Sequence, residues 1–240
     1  MTKHRSFSVL GNIAIVNFPD NYKASEKKKF AREVLSNNKS IRTVVEKSDI
    51  FKGRLRKQKT KYLVGERTKE VLYRENGCEF RFNIDETYFS SRLANERKES
   101  CEFVNKGDEV LVMFAGVSPF SIVIAKNTKA KKVYSNELNR AANFYGEKNV
   151  IRNKVQDRVE LVPGDIKRVA PRLSNEGKKF DFIMMTRPNL DERFLDQAFM
   201  VSRNGTKIYY HAFCRVEEKG EEIEAIKRAA KAFDFKVKVL

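Results

Sequence analysis

The pattern of apolar and polar positions divides the chain into two regions that meet near residue 100. In the first, an apolar run at 12–16 is stopped by Pro19 and predicts a strand. Residues 23–35 repeat apolar positions at helical spacing through Phe30, Val34 and Leu35. Short alternating runs follow at 43–45, 61–64, 71–73 and 78–84, separated by turn pairs such as Gly65-Glu66 and Asn76-Gly77. This reads as a small α+β module over residues 1–100.

From Asp108 onward the pattern changes. Near-continuous apolar runs at 109–114, 132–135, 159–162, 181–185 and 206–213 predict strands. Helical patterns lie between and after them, among them 119–126, 140–149, 193–201 and 221–233. Strands that are apolar throughout, alternating with amphipathic helices, predict a parallel, doubly wound α/β sheet over residues 101–240. The run 235–240 (FKVKVL) predicts a sixth strand.

Composition adds a partner to this picture. The chain of 240 residues carries 49 Lys and Arg against 32 acidic residues, a net charge of +17. A mixed-charge surface would raise both signs together, so this excess points to a polyanion, usually nucleic acid. The densest basic stretch is 52–61 (KGRLRKQKTK). Cys78, Cys101 and Cys214 are odd in number and widely spaced, which argues against a disulfide framework or a zinc site. They read as reduced thiols of a cytoplasmic protein. With only His4 and His211 besides, a metal-dependent mechanism is poorly supplied. No apolar run is long enough to cross a bilayer.

Three strand ends carry candidate chemistry. The segment 111–120 (LVMFAGVSPF) runs from a strand directly into a helix, where open α/β sheets bind ligands. Gly116 allows close backbone approach, and the helix start offers unpaired N–H groups. Alone, this is as consistent with a tight turn holding nothing. The next strand ends in Asn136-Glu137-Leu138-Asn139, placing an acid about 20 residues later, where such acids accept ribose hydroxyls. A helix-starting Glu is the plainer reading there. The following strand ends in Gly164-Asp165-Ile166, an acid for an adenine amino group and an apolar side chain to cover the ring. Three such ends in order favour an adenosyl cofactor.

The residues 85–126 (DETYFSSRLANERKESCEFVNKGDEVLVMFAGVSPFSIVIAK) resemble the archaeal and eukaryotic tRNA (guanine-37-N1)-methyltransferase family. The family combines a YFSxRLATER-like stretch with a DMFAGVGPFSI loop. Similarity extends to 53–56, 75–80, 133–139 and 194–196. The resemblance implies a class I methyltransferase fold that binds S-adenosylmethionine through Phe114, Ala115, Gly116, Ser118, Pro119, Phe120, Glu137, Asn139, Asp165 and Ile166. It implies a tRNA substrate bound at the anticodon stem-loop by a monomer that needs neither metal nor membrane. Glu96 matches the base that removes the guanine N1 proton, and Arg56 an arginine that polarises the guanine. Tyr88 and Arg92 match residues lining the guanine site. On spacing alone, Arg92, Glu96 and Arg97 also fit an ion-paired helix.

Three positions depart from the family pattern. Val112 replaces the acid that ends the first strand, removing one cofactor anchor, and Ser118 replaces a glycine. Thr186-Arg187-Pro188 stands where Asn-Leu-Pro is usual, so the resemblance implies a catalytic place for Thr186 against the target base and substrate contacts for Arg187 and Pro188, and the change bears on rate or target base. Thr186 has one hydroxyl in place of an amide, and Arg187 can supply donors or face RNA. The family's extra N-terminal domain is expected to be absent. Two other readings share much of this pattern. One is aminocarboxypropyl transfer from the same cofactor in the wybutosine pathway. The other is an RNA-binding relative without catalysis, against which Glu96, Glu137 and Asp165 argue, since acids repel RNA.

Overall fold

The computed structural model describes residues 6–19, 21–48, 55, 57–186 and 192–240. They form two compact units, 1–94 and 95–240.

The first unit holds a four-stranded sheet and a separate hairpin. Strands β1 (Ser6–Leu10) and β2 (Ile13–Asn17) pair antiparallel through the two-residue turn Gly11-Asn12. Helix α1 (Ala24–Asn37) then returns the chain to β3 (Thr43–Lys47), parallel to β2, with β4 (Thr60–Gly65) antiparallel beyond it. Glu26 accepts the Lys23 N–H at 2.9 Å at the start of α1, as an acid in a first turn should. The α1 stripe of Ala31 and Val34 packs on Ala14, Val16, Val44 and Leu63. Strands β5 (Glu70–Glu75) and β6 (Cys78–Asn83) form the hairpin, its buried Phe82 ring stacked 4.6 Å from Phe89.

Strand β1 was not expected from the pattern, since serines interrupt its apolar positions. The turn closes tightly against β5. Gly11 has φ +55°, and a Cβ there would sit 2.1 Å from the Leu72 carbonyl oxygen. Gly11→Ala is therefore expected to cost more than about 1 kcal/mol. A melting midpoint within about 1 °C of the parent would contradict this.

The second unit is a five-stranded parallel sheet in the order β11-β10-β7-β8-β9. Its strands are β7 (Glu109–Met113), β8 (Lys132–Glu137), β9 (Val159–Pro163), β10 (Phe180–Met185) and β11 (Ser202–Tyr210). Helices α3 (Pro119–Asn127), α4 (Arg140–Arg152), α5 (Ile166–Asn175) and α6 (Leu195–Met200) connect them in turn. Helix α2 (Ala94–Glu99) precedes the sheet and α7 (Lys219–Lys231) follows it. The apolar strands are buried on both faces: Val110, Leu111, Val112 and Met113 are all inaccessible. The expected doubly wound sheet is thus present, and its strand order reverses at β7. The crevice beside β7, at the carboxyl ends of the strands, is where such sheets hold ligands.

The expected sixth strand at 235–240 does not form. After α7 the chain turns at Asp234 (φ +60°), and the Phe235 N–H closes the helix end on the Ala230 carbonyl at 3.0 Å. Phe235 and Val237 then pack against Phe199, Leu195 and Ala230. Helices α6 and α7 thus half-bury Phe235 and Val237, while Val239 and Leu240 are exposed.

Candidate functional site

Every described candidate in the second unit, apart from Glu96 on α2, lies at or just beyond the carboxyl end of a parallel strand. After β7 the backbone makes a tight reversal in which Phe114, Gly116 and Ser118 all adopt left-handed conformations, at φ +61°, +59° and +67°. Two of the three have side chains, so the turn is held by its surroundings. The Ala115 N–H donates to the Asn136 carbonyl at 2.8 Å. A buried relay of hydroxyls runs from Ser121 to Ser135 at 2.8 Å and from Ser135 to Ser118 at 3.0 Å. The Asn149 amide donates to the Val117 carbonyl at 3.2 Å. Ser118 thus replaces a glycine by tying the turn to β8. Pro119 opens α3, where its missing N–H costs nothing. Ala115, Pro119 and Phe120 are buried, so they shape the turn more than they face a ligand.

Glu137 is the centre of the site. Its carboxylate accepts the Gly116 N–H at 2.7 Å through one oxygen and the Asn139 N–H at 2.7 Å through the other. Burial pushes its pKa up, against the pull of the N–H groups of Asn139, Gly116 and Leu138. A ligand donating hydroxyls to this carboxylate would favour its charged form. Beside it, the Asn143 amide donates to the carbonyls of Glu137 and Asn139 at 2.9 and 3.1 Å. The Asn143 Oδ1 is buried and has no hydrogen-bond partner among the described residues, an acceptor that awaits a donor.

The remaining cofactor candidates divide by what their side chains do. Asn139 caps α4 by accepting the Ala141 N–H at 3.0 Å, and Asp165 caps α5 by accepting the Lys167 N–H at 3.1 Å. The Asn136 amide holds the turn before Asp165 by donating to the Val162 and Gly164 carbonyls at 2.8 and 3.0 Å. Ile166 is only 2% exposed and belongs to the core with Leu111 and Met113. Phe114 packs edge-on against Phe194 at 4.9 Å.

Thr186 ends β10. Its hydroxyl lies 3.1 Å from both the Met113 and Phe114 carbonyls, so its one proton is committed to the turn. Only its lone pairs remain to meet a substrate donor. Arg56, Arg187 and Pro188 lie outside the described residues, as do Lys52, Gly53 and Arg54 of the basic stretch 52–61.

Glu96, on α2, is part-buried and hydrogen-bonded to Nε2 of His211 just beyond β11. Tyr209 lies beside it, where burial and the negative charge of Glu96 push the tyrosine pKa up. Arg97, the next residue, is buried with its guanidinium 5.4 Å over the Phe120 ring. Within the first unit, Tyr88 is half-buried beside the Phe89 cluster and Arg92 is exposed in the 3-10 turn Ser91–Leu93. His211, Tyr209, Asn136 and Asn143 were not expected as site residues. The signal for His211 was its place at the end of a parallel strand, the position that led to Glu137 and Asp165.

Two family patterns match the chain: the TRM5/TYW2 methyltransferase domain over residues 71–240, and the TYW2 N-terminal domain over residues 2–68. The tRNA (guanine(37)-N(1))-methyltransferase Trm5b of Pyrococcus abyssi is 34% identical over 98% of this chain and 68% of its own length. The tRNA (guanine(37)-N(1))-methyltransferase of Phytophthora infestans is 34% identical over 80% of this chain and 46% of its own. The crystal structure of the P. abyssi protein matches with a TM-score of 0.83 at 33% identity, covering 98% of this chain and 68% of that one. The complex of aTrm5 with tRNALeu matches at 0.79 and 28% identity, covering 92% and 63%. This chain therefore spans only part of the length of these relatives.

Proposed function

Given that the chain belongs to the TRM5/TYW2 methyltransferase domain family, we infer that it binds S-adenosylmethionine and methylates N1 of guanine 37 in tRNA. The observation that carries the cofactor half is the Glu137 carboxylate. Both its oxygens are held by backbone N–H groups, and their remaining lone pairs suit the two ribose hydroxyls. The orphaned Asn143 acceptor beside it offers a further place for a donor, so the residues present fit a nucleoside. Asp165, at the next strand end, is assigned to the adenine, and the turn 114–120 to the rest of the cofactor. The target half rests on the relatives, whose names specify guanine 37, and on the excess of 49 basic over 32 acidic residues.

When bound, the cofactor supplies an electrophilic methyl group. The chain supplies the base. Guanine N1–H is a weak acid, so a carboxylate must take its proton as the methyl arrives, and Glu96 is assigned that role. A stacked guanine hides N1, so the base is turned out of the loop. Arg56 is assigned to the charge developing on the guanine, with Tyr88, Arg92, Arg187 and Pro188 on the substrate side. Thr186 contributes as a hydrogen-bond acceptor. The protein is read as a cytoplasmic monomer needing no metal.

One observation favours a second reading. The N-terminal residues match a domain named for TYW2, which points toward aminocarboxypropyl transfer from the same cofactor. Two labels separate the reactions. Incubation of unmodified tRNA with cofactor labelled in the methyl group is expected to label the RNA, whereas label in the aminocarboxypropyl group stays out of it. The reverse pattern would establish the second reading.

A further inference from the structure

Glu96 sits on α2, a helix of only six residues, and its side chain is held from elsewhere in the unit. The partner is His211, 115 residues further along the chain. Nε2 of the imidazole is hydrogen-bonded to Oε1 of the carboxylate. An ionised carboxylate offers only lone pairs, so the imidazole nitrogen is the donor. Both side chains are mostly withdrawn from water, Glu96 at 24% and His211 at 16% exposure.

The donor is itself held in place. The His211 backbone N–H donates to the Met185 carbonyl at 3.2 Å, which fixes the residue to the end of β10. The Phe120 ring of α3 lies edge-on to the imidazole at 6.4 Å, and the Tyr209 ring of β11 does so at 5.6 Å. Phe120 is buried, with the Arg97 guanidinium 5.4 Å over its ring. The imidazole therefore has little room to swing, and its N–H keeps one direction. A glutamate with no such partner samples many rotamers, and ordering it costs entropy. A base that must meet one proton at bonding distance gains from being ordered before the substrate arrives.

We propose that His211 is the positioning residue for Glu96, holding Oε1 so that Oε2 is left to take the guanine N1 proton. The role rests on the methyltransferase reading above. The electron pair of the N1–H bond becomes the N1–methyl bond, and the pair of the broken sulfur–methyl bond stays with sulfur, which loses its positive charge. The proton passes to Oε2 of Glu96 and from there to water as product leaves. His211 touches neither substrate nor cofactor and carries no proton in this scheme.

The test is a double-mutant cycle on the single-turnover methylation rate, with H211L and H211Q each made in the wild-type and E96Q backgrounds. Leucine keeps bulk against Phe120 and Tyr209 but has no N–H to donate. Glutamine carries an amide N–H at a reach similar to that of Nε2. H211L is expected to lower the rate at saturating RNA and cofactor by at least about tenfold, the effect of a misplaced base. The KM for RNA stays within about twofold, because no ground-state contact with RNA is lost. H211Q recovers most of the loss, to within about threefold of the wild type. In the E96Q background H211L costs less than about twofold, since no base remains to be positioned.

A residue that merely supported the fold would cost the same factor in both backgrounds, and glutamine would rescue nothing. Either result overturns the positioning role, as does an H211L protein with the wild-type rate. A wild type that binds the cofactor but transfers no methyl group overturns the methyltransferase reading, and the role with it.

Discussion

Glu96→Gln is expected to lower the single-turnover methylation rate by about 10²–10⁴-fold, the span that a positioned proton acceptor contributes. Glutamine has nearly the shape of glutamate and can still bond to His211, so the local packing should survive. What it lacks is the capacity to accept a proton from guanine N1. The dissociation constants for RNA and cofactor should accordingly stay within about threefold of the parent, since the uncharged side chain removes no contact made in the ground state. A rate within twofold of wild type would remove Glu96 as the base and move attention to another acceptor on the substrate side.

Glu137→Ala is expected to raise the cofactor dissociation constant by about a hundredfold or more. Hydrogen bonds to a charged acceptor are worth about 1.5–3 kcal/mol each, and two ribose hydroxyls lose theirs together. The substitution also strips the Gly116 and Asn139 N–H groups of their partner, which loosens the turn that must meet the ligand. Glu137→Gln separates the two effects. Its single amide oxygen can satisfy one N–H while its NH₂ faces the other donor unfavourably, so part of the turn order remains but the charge does not. Both variants should lose affinity by titration calorimetry. Unchanged affinity in both would sink the ribose assignment.

These assignments were legible in the sequence to different degrees, for physical reasons that can be stated residue by residue. The parallel sheet was readable because strands buried on both faces must be apolar throughout. Expected runs such as 109–114 and 181–185 fall within a residue or so of Glu109–Met113 and Phe180–Met185. Strand β1 was not readable, because its alternation with Ser6 and Ser8 signals a strand only once Gly11-Asn12 is seen as a hairpin turn. The run 235–240 misled because alternation records one buried face and does not say whether a sheet or a pair of helices buries it. Within the site, Glu137 was legible from its distance after Gly116. The partner of Glu96 was not: His211 is 115 residues away in the chain, and spacing suggested Arg92 or Arg97 instead. Thr186 was read as a catalytic residue in place of an asparagine, and the commitment of its proton to the carbonyls of Met113 and Phe114 is visible only in three dimensions.

The replacement of the usual acid by Val112 also takes on a clearer meaning. Val112 is fully buried between Ser135 of β8 and Met184 of β10, so it strengthens the sheet at the strand's end and offers no polar group. On the cofactor assignment proposed above, Glu137 and the turn 114–118 are left to supply the polar contacts. This is why the loss expected for Glu137→Ala is large.

The measurement that tests the central claim most directly is nucleoside analysis of an unmodified tRNA transcript after incubation with the protein and S-adenosylmethionine, beside a transcript carrying adenine at position 37. The predicted result is 1-methylguanosine, about one per molecule at position 37 of the first transcript, and none in the second. Methylation that persists in the second transcript, or no 1-methylguanosine in the first despite measurable cofactor binding, would contradict it.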